Sequence, residues 1–577
     1  MTRRDRTTVA ALVLVLVVLG AAIALPQVRP GSPGSGGTGT EPTPGATLPP
    51  PVTYREGVVG SPVSITPVTA RTRADRTLVG LVFSGLVRPG PAGGYQPDLA
   101  ESWTTSADGS TWTIQIRADA TWHDGAPVTA DDVVYTVEAL KNPDAAGGAA
   151  GSWAEVTAVA KGPRTVQLTL ATPLGGFLAA LCQPLLPAHL LADVPFADLA
   201  DSGFARQPVG TGPFALVELD GTRAVLEPAA AAPPAAEPTP GPTLDSLATP
   251  YPVPTPGRPV PYLERIEVSF YDNEAALAGA LRTGEVDGAA GFTPAAVAEL
   301  AAATGIERLR YPTTTVSVVL LNLRPSHPEL RNAATRRALL AAVDRDALVT
   351  GALGGDAVRA DALVPRSSWA FDATAAPPVP FDRKAASKAL TDAGWTKSGG
   401  KWVAPKAKAP YKLEILTVPT AANPRLTAVA GQVRDSWTSL GFNVTLVELA
   451  AADLATRLRS GEFTAAVVDI SGGREPDLFP LLASSQVRAS GTNLGGYQDP
   501  ALDALLAAAR APGTPEVRTA AWKAVLAAVS ERMPILPIVW VDEVYLARRL
   551  EGPSPALIVG PGDRFGDVLA WRLAADR

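Results

Sequence analysis

The segment Tyr95–Leu140 shows the clearest alternation of apolar and polar residues in the chain, and it predicts two strands followed by a helix. A turn at residues 106–109 separates two strand-like runs, and the second run alternates as a half-buried strand requires. Its apolar positions are Trp112, Ile114 and Ile116. Thr129 then begins a helix, since Asp132 three residues later completes a capping box. The apolar face of this helix consists of Val133, Val137 and Leu140.

The C-terminal half alternates predicted strands and helices. Residues 411–418 form a strand, and an apolar stripe then marks a helix that ends at Gly441: Leu426, Val429, Val433, Trp437 and Leu440. A strand at 442–449, a short helix at 453–460 and a buried strand at 463–470 follow. This order predicts a parallel sheet with helices on both faces. Because ligands of such sheets lie at the carboxyl ends of the strands, residues 471–480 are the first candidate binding loop.

Composition narrows the class of protein. The chain has 577 residues, enough for two or three lobes, and its 50 basic and 56 acidic side chains give no support to nucleic-acid binding. The single Cys182 excludes an intramolecular disulfide. The three histidines, His123, His189 and His327, are scattered, so we expect no metal site and no cofactor. An exported hydrolase is disfavoured, because no GxSxG motif accompanies these histidines.

Three segments are not expected to contribute to a folded core. Residues 1–8 carry arginines before the apolar run Val9–Leu25, which indicates either a signal anchor or a cleaved signal peptide. No cysteine follows that run, so a lipoprotein anchor is not expected. Residues 26–51 are a Pro/Gly-rich linker, and residues 228–261 form a low-complexity insert that cannot bury a core.

The residues from Pro97 to Val133 also resemble a known family. The order LAESW, a DG turn, a strand with tryptophan, WHDG and then T-A-D-D-V is similar to the block near the N-terminus of family 5 extracellular solute-binding proteins, the peptide- and nickel-binding receptors of ABC importers. Further segments resemble that family in the same order along the chain: 207–214 (QPVGTGPF), 281–288 (LRTGEVDG), 322–348 and 493–503.

The resemblance implies an α/β fold with two periplasmic-binding-protein-like lobes, an extra subdomain in the first lobe and a hinge between the lobes. We expect the first lobe to contain residues 52–80, 208–272 and 541–577, with the subdomain at 81–207. The second lobe is expected at residues 273–540.

The resemblance also implies candidate ligand-binding residues. In peptide-binding relatives an acidic side chain faces the ammonium group of the peptide, and the matching position in this sequence is Gly472. Asp469 is the nearest acid before it, and a carboxylate there suits an ammonium partner. Arg474 is a candidate for an anionic group, and the amide of Asn493 both donates and accepts hydrogen bonds. The predicted site is Ser61, Asp469, Ser471, Gly472, Arg474 and Asn493.

The implied function is that of an extracytoplasmic receptor that captures a peptide-like ligand and delivers it to ABC permease subunits. The chain is expected to be a monomer at the outer face of the cytoplasmic membrane, without catalytic activity. Two alternatives keep the fold: a different solute, such as a nickel chelate or an oligosaccharide, or a ligand sensor that does not serve transport.

Overall fold

The computed structural model describes residues 52–90, 94–146, 153–229, 261–488, 490–555 and 557–574. The chain divides into the units Met1–Pro50 and Pro51–Arg577, and the description below concerns the second unit. The predicted signal segment and linker and nearly all of the predicted insert lie outside the described residues. Within the described ranges, no helix is long and apolar enough to cross a bilayer.

The strands of the described residues are numbered β1 to β21 in chain order. The first eleven are β1 Thr53–Val59, β2 Val87–Pro89, β3 Tyr95–Pro97, β4 Ala100–Thr105, β5 Thr111–Ile116, β6 Val156–Gly162, β7 Thr165–Leu170, β8 Phe214–Leu219, β9 Arg223–Pro228, β10 Arg265–Tyr271 and β11 Gly288–Ala290. The others are β12 Glu307–Leu321, β13 Ala357–Arg359, β14 Thr396–Ser398, β15 Lys401–Val403, β16 Lys412–Thr417, β17 Asn443–Glu448, β18 Ala465–Ser471, β19 Leu536–Ala547, β20 Leu550–Glu551 and β21 Arg572–Leu573.

The α-helices of the described residues are numbered in the same way. They are α1 Arg73–Val82, α2 Ala130–Lys141, α3 Pro143–Ala146, α4 Ala188–Leu191, α5 Glu274–Thr283, α6 Pro294–Ala301, α7 Ala333–Ala341, α8 Arg345–Thr350, α9 Arg383–Asp392, α10 Pro424–Leu440, α11 Ala451–Ser460, α12 Phe479–Leu482, α13 Pro500–Arg510 and α14 Pro515–Arg532. The predicted capping box of α2 is confirmed, since the Thr129 amide donates to Asp132 Oδ2 at 2.7 Å.

One large sheet runs through the molecule in the order β17-β16-β18-β12-β19-β11-β1-β10-β9-β8, with β13 beside β19. The predicted parallel arrangement of β16, β17 and β18 is confirmed, as β16 pairs in parallel with both neighbours. A separate antiparallel sheet, β4-β5-β7-β6, forms the subdomain and contains the predicted strand at 111–116. The half of the large sheet from β11 to β8 belongs to the first lobe, and the half from β17 to β18 belongs to the second.

The long antiparallel strands β12 and β19 pass through both lobes. In the first lobe Glu307 pairs with Ala547, and in the second Val316 pairs with Trp540. The register shifts between Pro312 and Val316, so the pairing is interrupted where the strands cross from one lobe to the other. An irregular pairing at this place allows a bend without breaking either core.

The apolar cores follow this division. One cluster in the first lobe contains Tyr54, Leu78, Trp122 and Trp571. In the second lobe separate clusters cover the two faces of the sheet, one around Trp437 and the other around Trp522. A strand buried on both faces explains why residues 465–467 are apolar without alternation.

The strand pairing indicates where the chain passes from the first lobe to the second. The lobe boundaries given above remain a prediction. Helices α5 and α6 pack with β11 in a cluster that includes Leu546, and β11 pairs with β1. This pairing places residues 274–311 with the first lobe. It favours a passage to the second lobe at about Pro312, later than the predicted position at residue 273.

Candidate functional site

In both lobes the carboxyl ends of the parallel strands point toward the place where β12 and β19 pass from one lobe to the other. This place is called the crossing below. In the first lobe β1 runs parallel to β11, and residues 288–290 of β11 pair with 547–545 of β19. Both strands therefore run toward the crossing, and Val59 lies nearer to it than Thr53. In the second lobe Ala465, at the start of β18, pairs with Leu321 of β12, and Ser471, at its end, pairs with Thr315. Ser471 therefore lies nearer the crossing than Ala465. The candidate site is therefore the space between the lobes at the crossing.

Asp469 lies near the end of β18 within a cluster of polar side chains. Its carboxylate pairs with the guanidinium of Arg425 and accepts hydrogen bonds from Ser317 Oγ at 2.6 Å and Asn423 Nδ2 at 3.3 Å. Arg425 also donates to Ser317 Oγ at 2.7 Å, which closes the cluster. About a fifth of each charged side chain remains exposed, 21% for Asp469 and 18% for Arg425. The cluster thus presents one negative and one positive group at the edge of the cleft.

Three elements position this cluster. Asp469 and Ser317 are cross-strand partners on β18 and β12. Asn423 is the N-cap of α10, where its side chain accepts from the Leu426 amide, and Arg425 lies in the first turn of that helix. Ser317, Asn423 and Arg425 were not among the site residues predicted from the sequence. An N-cap before a proline was a visible signal for the helix start, but the pairing of β12 with β18 was not readable from the chain.

Ser471 and Gly472 extend the site toward the crossing. Ser471 Oγ lies 2.8 Å from Thr315 Oγ1, and this pair is exposed. The Gly472 amide donates to the Thr314 carbonyl at 3.0 Å, while Thr314 Oγ1 donates to the Gly472 carbonyl at 2.7 Å. A Cβ at Gly472 would meet only the Thr314 oxygen, at 4.0 Å, so space exists beside the loop.

Arg474 bridges the two lobes. Its guanidinium donates to the Leu557 carbonyl at 2.9 Å and pairs with Asp563 at 2.7 Å. Glu475 links the second lobe to the subdomain. Its carboxylate accepts a hydrogen bond from the Tyr95 hydroxyl at 3.2 Å and pairs with Arg518 of its own lobe at 2.7 Å. Burial and the Glu475 carboxylate raise the pKa of Tyr95. The loop after β18 therefore holds the lobes together, which the sequence did not predict for Arg474.

Ser61 is exposed in the loop that follows β1. This loop is fixed by Asp75 of α1, whose Oδ1 accepts from the amides of Val63 and Ser64 and whose Oδ2 accepts from the amides of Arg71 and Thr72. Burial opposes ionisation of Asp75, but these backbone donors bring its pKa below the usual range. The loop thus has a defined conformation at the carboxyl end of β1.

Asn493 is placed differently from the other predicted residues. It is 3% exposed, and its Nδ2 donates to the carbonyls of Ala483 and Tyr497 while its Oδ1 accepts from the Tyr497 amide. Backbone groups therefore occupy both ends of the amide, and Asn493 organises its own loop. A ligand contact for Asn493, as the sequence analysis expected, requires these hydrogen bonds to break.

A cavity of about 150 Å³ lies inside the second lobe, between the sheet and α12. Most of its lining is apolar and includes Leu320, Val468, Leu482 and Ile535. Because Asp469 alternates with Val468 and Ile470 along β18, its carboxylate points to the other face of the sheet. Asp469 and Asn493 also line this cavity, which lies on the face of the sheet opposite the Asp469 carboxylate.

The histidines have protein partners. His123 Nε2 lies 3.0 Å from the Gly212 carbonyl, His189 lies 2.8 Å from Asp124, and His327 lies 3.5 Å from Glu329. In the ranges that the structure describes, no group of three or more His, Cys, Asp or Glu residues is arranged to hold a metal ion.

The two-lobed α/β fold, the strands that cross between the lobes and the polar groups at the facing strand ends define a solute-binding protein. The model of the bacterial extracellular solute-binding proteins, family 5 (middle region) matches residues 94–490, and this chain belongs to that family. The two-lobed fold predicted from the resemblance is confirmed.

Several characterised proteins are similar to this chain. The oligopeptide-binding protein AppA of Bacillus subtilis is 25% identical over 75% of this chain and 76% of its own length. The nickel-binding periplasmic protein of Escherichia coli is 26% identical over 66% of this chain and 68% of its own length. The solved structure of AppA from B. subtilis in complex with a nonapeptide superposes with a TM-score of 0.65 at 21% identity, covering 91% of this chain and 99% of that one. By their names these relatives are binding proteins.

Proposed function

We propose that this protein captures a peptide-like solute between its lobes and delivers it to the permease of an ABC importer, without chemical change. The observation that carries the proposal is the Asp469–Arg425 pair at the facing strand ends, in a chain of this family. A short peptide carries both an ammonium and a carboxylate. The two charged groups of the cluster match that pair of charges.

The proposed contacts divide by role. Asp469 receives the ligand ammonium and Arg425 its carboxylate, each giving up part of its present partner. Ser471, Gly472 and Ser61 supply hydroxyl and backbone groups from the two lobes. Arg474 acts through closure, because its contacts with Leu557 and Asp563 form only when the lobes approach each other.

The location of the protein is part of this proposal. We propose that Val9–Leu25 holds the chain at the outer face of the cytoplasmic membrane, as a signal anchor or, if it is cleaved, only during export. The body then acts there as a monomer, within reach of the permease.

A calorimetric titration tests the ligand proposal. Tripeptides with a free N-terminus are titrated into the wild-type protein and into Asp469→Asn, which keeps the size of the side chain and removes its charge. Loss of a charge-assisted hydrogen bond weakens binding by about 1.5–3 kcal/mol, and N-acetylated tripeptides should bind both forms alike. Asp453→Asn, an exposed acid on α11, is the matched control and should bind like the wild type. Equal affinity of the wild type for free and acetylated peptides would show that Asp469 is not an ammonium anchor.

A second candidate ligand is a metal chelate, favoured by the similarity to the nickel-binding periplasmic protein of E. coli. Arg425 would then pair with a carboxylate of the chelator. A thermal shift caused by nickel–histidine, and absent with peptides, would select this candidate over the first.

A further inference from the structure

The lysines of this chain are concentrated in one segment. Seven of its ten lysines fall within residues 384–412, whereas its forty arginines are spread along the whole sequence. Asp392 is the single acidic residue of that segment, although the whole chain has a net charge of −6. The seven residues are Lys384, Lys388, Lys397, Lys401, Lys406, Lys408 and Lys412.

In the structure this segment forms one continuous surface layer, called here the lysine layer and defined as residues 383–412. It consists of α9, the hairpin β14–β15 and the loop that leads to β16. Buried aromatic side chains hold these parts together. Trp395 stacks edge-on against Tyr411 at 5.3 Å between ring centroids, and Trp402 Nε1 donates to the Leu440 carbonyl at 2.9 Å.

Six of the seven lysines are exposed, Lys401 being the exception. Lys388 pairs with Asp392, Lys397 lies over the Trp402 ring, and Lys401 donates to the Phe442 carbonyl. Among the described residues, Lys384, Lys406, Lys408 and Lys412 have no acidic side chain within ion-pair distance. The layer therefore carries a net positive charge on its exposed surface.

The residue type and the neighbouring aromatic side chain indicate the chemistry of the partner. An arginine fork recognises a carboxylate or phosphate in a fixed geometry, whereas a lysine ammonium is a hydrated point charge on a flexible chain. Flexible point charges suit a diffuse layer of negative charge better than a single bound anion. At the border of the layer Phe381 is 43% exposed, and aromatic rings favour the level of lipid headgroups.

The topology fixes where the layer lies. Because the carboxyl ends of β16 and β18 face the crossing, Lys412 at the amino end of β16 lies at the outer end of the second lobe. Thr53, at the amino end of β1, lies at the outer end of the first lobe by the same reasoning. A tether at the first lobe and an attractive surface at the second would bring both lobes to the membrane together.

We propose that the lysine layer docks on the anionic headgroup layer of the membrane and orients the two lobes along its surface. This inference does not depend on which solute the protein binds. It uses only the extracytoplasmic setting of the family and the proposed N-terminal attachment.

Amine footprinting of the full-length chain tests the proposal, because the remaining lysines serve as internal controls. The protein is reconstituted on vesicles of phosphatidylcholine alone or with phosphatidylglycerol added, labelled with an acylating reagent and analysed by mass spectrometry. Acylation of Lys384, Lys406 and Lys408 should fall several-fold on the anionic vesicles, and 1 M salt should restore it, where the screening length is about 3 Å. Lys141, Lys161 and Lys523 should label equally on both.

A charge-removal pair gives an independent readout. Lys406→Gln/Lys408→Gln should reduce the protection of Lys384, since each lysine near an anionic surface contributes roughly a five-fold factor to partitioning. Lys141→Gln/Lys161→Gln, the matched control, should leave it unchanged. Equal acylation of the layer on both kinds of vesicle would overturn the proposal. So would protection by a soluble polyanion such as polyphosphate without any protection by phosphatidylglycerol, because the partner would then not be the lipid surface.

Discussion

The buried ion pair between Glu56 and Arg564 offers a sharp test of how the first lobe is stabilised. Glu56 is fully buried and Arg564 is 1% exposed. Arg564 donates to Glu56 Oε1 at 2.5 Å, while Glu56 Oε2 accepts from the hydroxyls of Tyr54 at 2.8 Å and Tyr545 at 2.5 Å. The Glu56 carboxylate therefore accepts hydrogen bonds from three donors, and it is the carboxylate that directly contacts the Arg564 guanidinium.

Glu56→Gln keeps the side-chain size but removes the charge that offsets the Arg564 guanidinium. The remaining acceptors of Arg564 are the Pro561 carbonyl and, at 3.2 Å, Thr77 Oγ1, neither of which is charged. Breaking one side of a buried ion pair leaves the other charge unpaired, and the loss is about 3–5 kcal/mol. A surface pair such as Arg223–Glu218, with about half of each side chain exposed, should contribute no more than about 1 kcal/mol.

Equilibrium unfolding in guanidinium chloride, followed by tryptophan fluorescence, measures these differences. Trp571 lies edge-on to Tyr54 at 5.4 Å between ring centroids, so its emission reports on this part of the core. Glu218→Gln is the surface control. Glu56→Gln/Arg564→Met should be more stable than Glu56→Gln, because an apolar pair leaves no buried charge. A loss of stability in Glu56→Gln no larger than that in Glu218→Gln would show that the buried Glu56–Arg564 pair does not stabilise the first lobe.

Three further predictions follow from particular contacts. Burial and the nearby Asp356 carboxylate raise the pKa of Asp542 to about 6, with Arg310 opposing, so the folded state holds this proton more tightly than the unfolded state. The free energy of unfolding should therefore fall as the pH rises from about 4 to 6. Asp542→Asn should reduce this fall when denaturation is measured as a function of pH. An unchanged pH profile would contradict the raised pKa of Asp542. Arg474→Met should open the lobes, seen as a larger radius of gyration in X-ray scattering without ligand, while Arg488→Met, in the same lobe, should not change it. Gly210→Ala should lower the melting temperature, because its Cβ would lie 1.9 Å from the Val82 carbonyl oxygen, whereas Gly221→Ala meets nothing within 4 Å and should melt near the wild-type temperature.

The sequence predicted those parts of the fold that depend on local pattern. Alternation identified β5, the capping box fixed the start of α2, and the strand–helix order of residues 411–470 predicted the parallel sheet. The position of Asp469 at a strand end was readable for the same reason. Each of these features depends on residues close together in the chain.

The missed features depend on contacts between distant residues. Nothing near Asp469 in sequence indicates that Arg425 pairs with it and Ser317 donates to it, since those residues lie on α10 and β12. Arg474 pairs with Asp563, almost ninety positions later, only because the lobes meet. The backbone partners of Asn493 could not be read from the sequence either, because a buried amide satisfied by backbone groups and a ligand-binding amide look alike there.

We propose that the charged pair Asp469–Arg425 at the facing strand ends binds a zwitterionic peptide-like solute. The most direct measurement is native mass spectrometry of the full-length protein purified from its own host, followed by release and identification of any bound molecule. A short peptide with a free N-terminus should be found bound to the wild type and lost from Asp469→Asn. A bound sugar or other uncharged solute, retained by Asp469→Asn, would contradict it.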